Sequence, residues 1–146
     1  MKKVLAIILA LVMALSLMAC GSSPAQQPGG DTDAETPVVT DGATLGEGAH
    51  SFTLEITDAD GKTITATINT DEETVGAALL KLNIVQGEDS EYGLYVKTVN
   101  GITADYDKDQ TYWSFYIDGE YAQTGVDMTA ITDGSTYKLA IETMAQ

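Results

Sequence analysis

The stretch YWSFYIDGEYAQTGVDMTAITDG, residues 112–134, decides how this chain folds. Trp113, Phe115 and Ile117 alternate with Tyr112, Ser114 and Tyr116, the period-2 pattern of a strand that buries one face. Asp118-Gly119 follows at once. That pair suits a tight hairpin turn, whose two central residues need positive φ. A return strand is expected from Glu120, and Tyr137, Leu139 and Ile141 alternate again further on. Trp113 is the only tryptophan and Phe115 one of two phenylalanines, so the core is expected around them. Tyr112 and Tyr116 then face the other way. Left uncovered, they form an aromatic surface suited to planar ligands, sugars or a protein partner, although simple cross-strand packing is the plainer explanation. They are the candidate ligand-binding residues, with Asn100 and Gly125 on neighbouring loops as the second choice.

Upstream, Phe52, Leu54 and Ile56 alternate with polar residues, Asp58-Ala59-Asp60-Gly61 makes a turn, and Ile64, Ala66 and Ile68 alternate on the return. Thr70 and Glu73 have the spacing of a capping box, and the acidic residues at 71–73 suit the positive end of a helix dipole. Val75, Ala78, Leu79 and Leu82 follow as an apolar stripe at helical spacing, with Gly87 expected just past the end. Residues 88–92 read as a polar connection, 93–102 as a strand broken at Asn100-Gly101, and 103–111 as a loop. The expected fold is α+β: a mixed sheet with one helix packed across one face, in an order that matches a β-grasp arrangement.

The chain start is of a different kind. Lys2 and Lys3 precede an apolar run too short for a comfortable membrane span, so residues 1–19 read as a signal peptide. Leu17-Met18-Ala19-Cys20 resembles the lipobox of bacterial lipoproteins, and Cys20 is the only cysteine. The resemblance implies lipid attachment at Cys20 and anchoring on the outer surface of the membrane. Residues 20–48, rich in Gly, Pro, Ser, Thr and Asp, read as a disordered tether, and residues 49–146 as the folded domain.

Beyond residue 20 there are 5 lysines and no arginine against 22 acidic residues, a net charge of −17. Such a surface repels nucleic acid, which is not an expected partner. A single cysteine excludes a disulfide framework. His50, the only histidine, stands alone at the domain edge, and no serine or threonine shows a nucleophile motif. No enzyme and no catalytic residue is expected. Asp105, Asp107 and Asp109 alternate as calcium ligands do. Gln110 and Tyr116 stand where an EF-hand loop needs glycine and glutamate, so the EF-hand reading fails; a solvated acidic loop is expected and no metal ligand is assigned, with a weak, irregular calcium site as the alternative.

Tyr92-Gly93, Val99-Asn100-Gly101, the run from Trp113 to Gly119 and Asp133-Gly134 occur in the order seen in the transcobalamin-like C-terminal domain family, which the chain resembles from about Phe52 to Met144. Asp118 stands where that family often has asparagine. The resemblance implies a β-grasp domain that binds soluble ligands. In animal cobalamin carriers a related domain closes over the corrinoid together with a large helical domain, so one such domain offers half a corrinoid site. The expectation is a membrane-anchored extracytoplasmic lipoprotein that captures a small ligand, with cobalamin as a candidate, and hands it to a transporter. The alternative is a surface adhesion or structural module that binds protein or glycan.

Overall fold

The computed structural model describes residues 39–144. The expected signal peptide, Cys20 and the first part of the expected tether lie outside the described residues. In chain order the strands are β1 (Thr44–Leu45), β2 (His50–Thr57), β3 (Thr63–Thr70), β4 (Val85–Ser90), β5 (Gly93–Val99), β6 (Ile102–Thr103), β7 (Thr111–Ile117), β8 (Glu120–Tyr121) and β9 (Thr136–Thr143). Helix α1 (Val75–Lys81) lies between β3 and β4, and α2 (Tyr106–Asp109) between β6 and β7; Val126–Met128 forms a turn of 3-10 helix. The fold is α+β and dominated by strand, as expected. It holds two sheets where one was expected: a six-stranded mixed sheet, ordered β1-β3-β2-β9-β7-β8, and a three-stranded sheet, β4-β5-β6.

The large sheet is built from the two alternating hairpins. β2 and β3 pair antiparallel with Phe52 opposite Ile68 and Leu54 opposite Ala66. Asp58 closes their turn, its carboxylate accepting from the backbone N–H of Asp60 and Lys62. β9 runs parallel to β2 and antiparallel to β7, and so joins the two hairpins. Asp118 and Gly119 adopt the positive φ values, 50° and 88°, that the tight β7–β8 turn demands. One face of this sheet carries Phe52, Leu54, Ile56, Ile68, Trp113, Phe115, Tyr137 and Leu139, all buried. Tyr137 lies at the centre, edge-on to Phe52 at 5.2 Å and stacked on Phe115 at 6.1 Å.

Helix α1 adds Val75, Ala78 and Leu79 to this core, with Leu82 half-buried beside them. Its start differs from the expected capping box. Thr74 is the N-cap, accepting from the N–H of Ala77, whereas Thr70 remains in the β3 ladder opposite His50 and accepts from Glu72. The ladder and the burial of Thr70 (3% exposed) hold it as a strand residue, and the helix begins one turn later.

The second sheet replaces the expected polar connection. β4 has the sequence VQGEDS and shows no apolar alternation, because only Val85 faces inward. Gly87 is part of this strand and not a helix end. A β-carbon there would lie 2.1 Å from the carbonyl oxygen of Tyr95, so the bulge between Gln86 and Gly87 tolerates glycine alone. Ile84, Val85 and Val99 complete the core from this side. The indole N–H of Trp113 donates to the carbonyl of Lys97, which ties β7 to β5.

Residues 39–48, read from sequence as the end of the tether, belong to the fold. β1 pairs with β3, and Val39 is 2% exposed. Asn100 holds Val39 by both ends of its backbone: Val39 N–H donates to Asn100 Oδ1 at 2.6 Å, and Asn100 Nδ2 donates to the Val39 carbonyl at 3.1 Å. Val38-Val39 is an isolated apolar pair in a polar run, and the partner of Val39 is 61 residues away, so no local pattern announces the contact. Asn100→Ala should cost about 1–3 kcal/mol, the usual result of removing one partner from part-buried hydrogen bonds. Hydrogen exchange should accelerate selectively at residues 39–45; unchanged protection there would mean that other contacts hold the segment.

Candidate ligand-binding site

The face of the large sheet opposite the core carries the candidate tyrosines. Tyr112 and Tyr116 are both half-buried on β7, four residues apart and thus roughly 13 Å along the strand. Their hydroxyls nevertheless meet the same carboxylate. Tyr112 donates to Glu142 Oε2 at 3.1 Å, and Tyr116 donates to Glu142 Oε1. Glu142 lies on β9 directly opposite Tyr112, which brings it within reach of both. The two rings thereby lean together over Ser114, which is 1% exposed although it belongs to the outward face, and whose hydroxyl donates to the Ala140 carbonyl.

This arrangement fixes the charges. The hydrogen bond from Tyr116 holds the Glu142 carboxyl below the usual carboxylate range, with Ser114 and Tyr112 acting in the same direction. The same bonds to Glu142 push both tyrosine hydroxyls up, so they remain neutral donors at physiological pH. A carboxylate held low in the folded state contributes stability that is fully present above its unfolded value, near 4.5, and is lost as pH falls through its lower folded value. Glu142→Gln should therefore lower the melting temperature at pH 7 and lower it much less near pH 3. A melting difference that does not change with pH would assign the loss to packing instead of ionisation.

Around Tyr112 the surface opens into a hollow of about 360 Å³ lined by Tyr95, Tyr106, Tyr112, Tyr121 and Met144. The four tyrosines come from β5, α2, β7 and β8. Tyr95, Tyr106 and Tyr121 are 43%, 46% and 57% exposed, so their rings are open to a ligand. Tyr116 stands behind the hollow, edge-on to Tyr121 at 5.4 Å and with Lys138 Nζ 5.9 Å from its ring centre. Only Tyr112 of the sequence candidates lines the hollow. Tyr95, Tyr106 and Tyr121 were not singled out, because they sit on three separate elements that only tertiary packing brings together.

The other candidates stand elsewhere. Asn100, engaged with Val39, borders a second hollow of about 430 Å³ shared with Ile56, Asp58, Lys62 and Ile102. Gly125 precedes the 3-10 turn. A β-carbon there would come within 2.8 Å of Asp127 Oδ1, so the residue makes room for that side chain. Asp127 Oδ1 is buried without a hydrogen-bond partner, between Gly93 and Gly125. His50 faces Asp133 at 3.2 Å in an exposed pair.

The aspartates of α2 have local roles. Asp105 caps the helix, accepting from the N–H of Asp107 and Lys108 and pairing with Lys108 Nζ at 3.0 Å. Asp109 accepts from the backbone and hydroxyl of Thr111. These bonds pull both carboxyls below their ordinary value, through Lys108 for Asp105 and Thr111 for Asp109. Among the described residues no three His, Cys, Asp or Glu side chains are grouped to hold a metal ion.

Residues 72–141 match the model of a domain of unknown function, DUF4430. A protein from Ruminococcus gnavus ATCC 29149, described as a proposed metal-binding protein, shares 31% identity with a TM-score of 0.63; the match covers 66% of this chain and 100% of that one. The chain belongs to the DUF4430 family. Haptocorrin, solved in complex with Cbi, aligns at 16% identity and a TM-score of 0.47, over 65% of this chain and 26% of the haptocorrin chain. No curated protein matches the DUF4430 chain. The family match spans α1 to β9 and so includes Tyr95, Tyr106, Tyr112 and Tyr121, while β1 to β3 lie before it.

Proposed function

We propose that this DUF4430 protein is a non-catalytic binding module of β-grasp type that captures a small ligand at the tyrosine hollow. It is held at the outer face of a bacterial membrane by lipid on Cys20 and passes its ligand to a transport system. The observation that carries the reading is the convergence of four exposed or half-buried tyrosines, from four elements, on one open hollow. Grouped aromatic rings with neutral hydroxyls are costly to leave in water without a partner and suit the binding of apolar or ring-shaped groups. At about 360 Å³ the hollow falls at the small end of ligand sites. A cobalamin, the candidate ligand implied by the sequence resemblance, would enter by one edge and need a second surface to enclose it. The metal-binding role proposed for the Ruminococcus relative does not transfer readily, since Asp105 and Asp109 already have partners within the loop.

The test is a titration of the full chain with cyanocobalamin and with simple sugars, read on the tyrosine ring signals by NMR. Saturable shifts at Tyr112 and Tyr121, lost in Tyr121→Ala, support the module. Shifts confined to residues around Asn100 would move the site to the other hollow, and silence to every small molecule would favour the adhesion reading. Separately, Cys20→Ser should release the protein from the membrane fraction; a variant that stays bound would remove the lipid anchor from the proposal.

A further inference from the structure

We infer that the group entering the tyrosine hollow is a quaternary ammonium cation. The inference rests on the reading of the hollow as a ligand site and names the chemistry of the occupant. The described lining consists of four tyrosines and the thioether of Met144, with no charged side chain and no amide. The face of an aromatic ring carries the negative part of its quadrupole and attracts cations, and several rings around one space are the arrangement that recognises quaternary ammonium groups. A sugar or an amide-rich ligand needs fixed polar partners instead. Here only phenol hydroxyls are available, and that of Tyr112 is committed to Glu142.

The electrostatics select the same class. Beyond residue 20 the chain carries 5 lysines against 22 acidic residues, so the field at its surface draws cations and repels anions. Glu142, held ionised beneath Tyr112 and Tyr116, puts a fixed negative charge behind the wall of the hollow. Nearby lysines are engaged elsewhere: Lys97 pairs with Glu88 at 2.9 Å and Lys108 with Asp105 at 3.0 Å. Lys138 lies over the ring of Tyr116, which shows this sheet face holding a cation against a tyrosine within the chain itself. A primary ammonium is compact and strongly hydrated. A trimethylammonium group gives up less hydration on entry and buries its methyl groups against the rings.

Choline tests the inference on the full chain, with 3,3-dimethylbutan-1-ol as its neutral isostere. Choline should shift the ring signals of Tyr112 and Tyr121 saturably, and the isostere should bind at least tenfold more weakly. Tyr121→Ala, on an exposed edge strand, should weaken choline at least tenfold without lowering the melting temperature; Tyr106→Ala serves the same purpose if Tyr121→Ala disturbs the fold. The quaternary group can belong to a free solute or to a lipid headgroup. Binding of free choline assigns the solute, and binding of phosphatidylcholine vesicles without free choline assigns the headgroup; either supports the inference. Equal binding of the isostere, or choline binding indifferent to both tyrosine changes, would overturn it. Cyanocobalamin or a sugar shifting these rings while choline and the vesicles do not would overturn the cation and leave the binding module standing. Silence to every probe would overturn both.

Discussion

Trp113→Ala should leave little folded protein. The side chain is 9% exposed, lies in the core between the two sheets and donates its indole N–H to the Lys97 carbonyl. Truncating a buried tryptophan costs about 3–5 kcal/mol through lost burial and the cavity left behind. A domain of this size has a total stability of about 5–15 kcal/mol, so the loss reaches a large fraction of the whole. The melting temperature should fall by roughly 20 °C, or unfolding should begin without denaturant. Trp113→Phe separates the two contributions. It keeps much of the apolar area and removes the bond to Lys97, so it should lose about 1–2 kcal/mol with partial loosening of β5. A Trp113→Ala domain with unchanged melting would show that the two sheets do not depend on this residue for their packing.

Tyr137→Ala is the second large effect, and it acts at the centre of the large sheet. Tyr137 is 1% exposed and contacts both phenylalanines of the chain. Its hydroxyl accepts from the N–H of Thr132 at 2.9 Å and donates to the carbonyl of Ala130 at 3.2 Å. Deleting the ring removes two aromatic contacts and opens a cavity in the core, for a loss of about 3–5 kcal/mol. Tyr137→Phe keeps the ring and leaves two backbone groups without their partner, at about 1–3 kcal/mol. Chemical denaturation should rank the wild type above Tyr137→Phe and Tyr137→Phe above Tyr137→Ala. If the phenylalanine variant matched the alanine variant, the hydroxyl and not the ring would be the main contributor. The hydroxyl also restrains the segment after the 3-10 turn, so Tyr137→Phe should raise hydrogen exchange at Ala130 and Thr132 before it raises exchange in β9.

The alternating strands β2, β3, β7 and β9 were legible because each buries one face, and burial of one face writes a period of two into the sequence. The turns at Asp58–Gly61 and Asp118-Gly119 were legible because few residue types satisfy their backbone geometry. The apolar stripe of α1 showed because it too buries one face, at helical spacing, although the expected start of the helix lay one turn too early. The spacing of Thr70 and Glu73 imitates a cap, and the competing claim of the β3 ladder on Thr70 is a pairing across the chain. β4 and α2 left no such trace. Their outward-facing, polar sequences bury little, and their positions follow from pairing with β5 and packing against β7.

The sequence by itself determined the inward and outward faces of the strands, the tight turns, the strongly acidic surface and the placement of Tyr112 and Tyr116 away from the core. These are local properties, set by backbone preference and by the alternation that a buried face imposes. Only the tertiary structure decided that Val39 belongs to the fold, that Tyr112 and Tyr116 share Glu142, and that Tyr95, Tyr106 and Tyr121 join Tyr112 around one hollow. Each of these depends on residues far apart in the chain whose meeting is fixed by strand order and register. The antiparallel pairing of β9 with β7 sets Glu142 opposite Tyr112, and the second sheet carries Tyr95 to the same edge. A one-dimensional pattern records which side a residue faces; which residues share that side is set by how the strands are ordered.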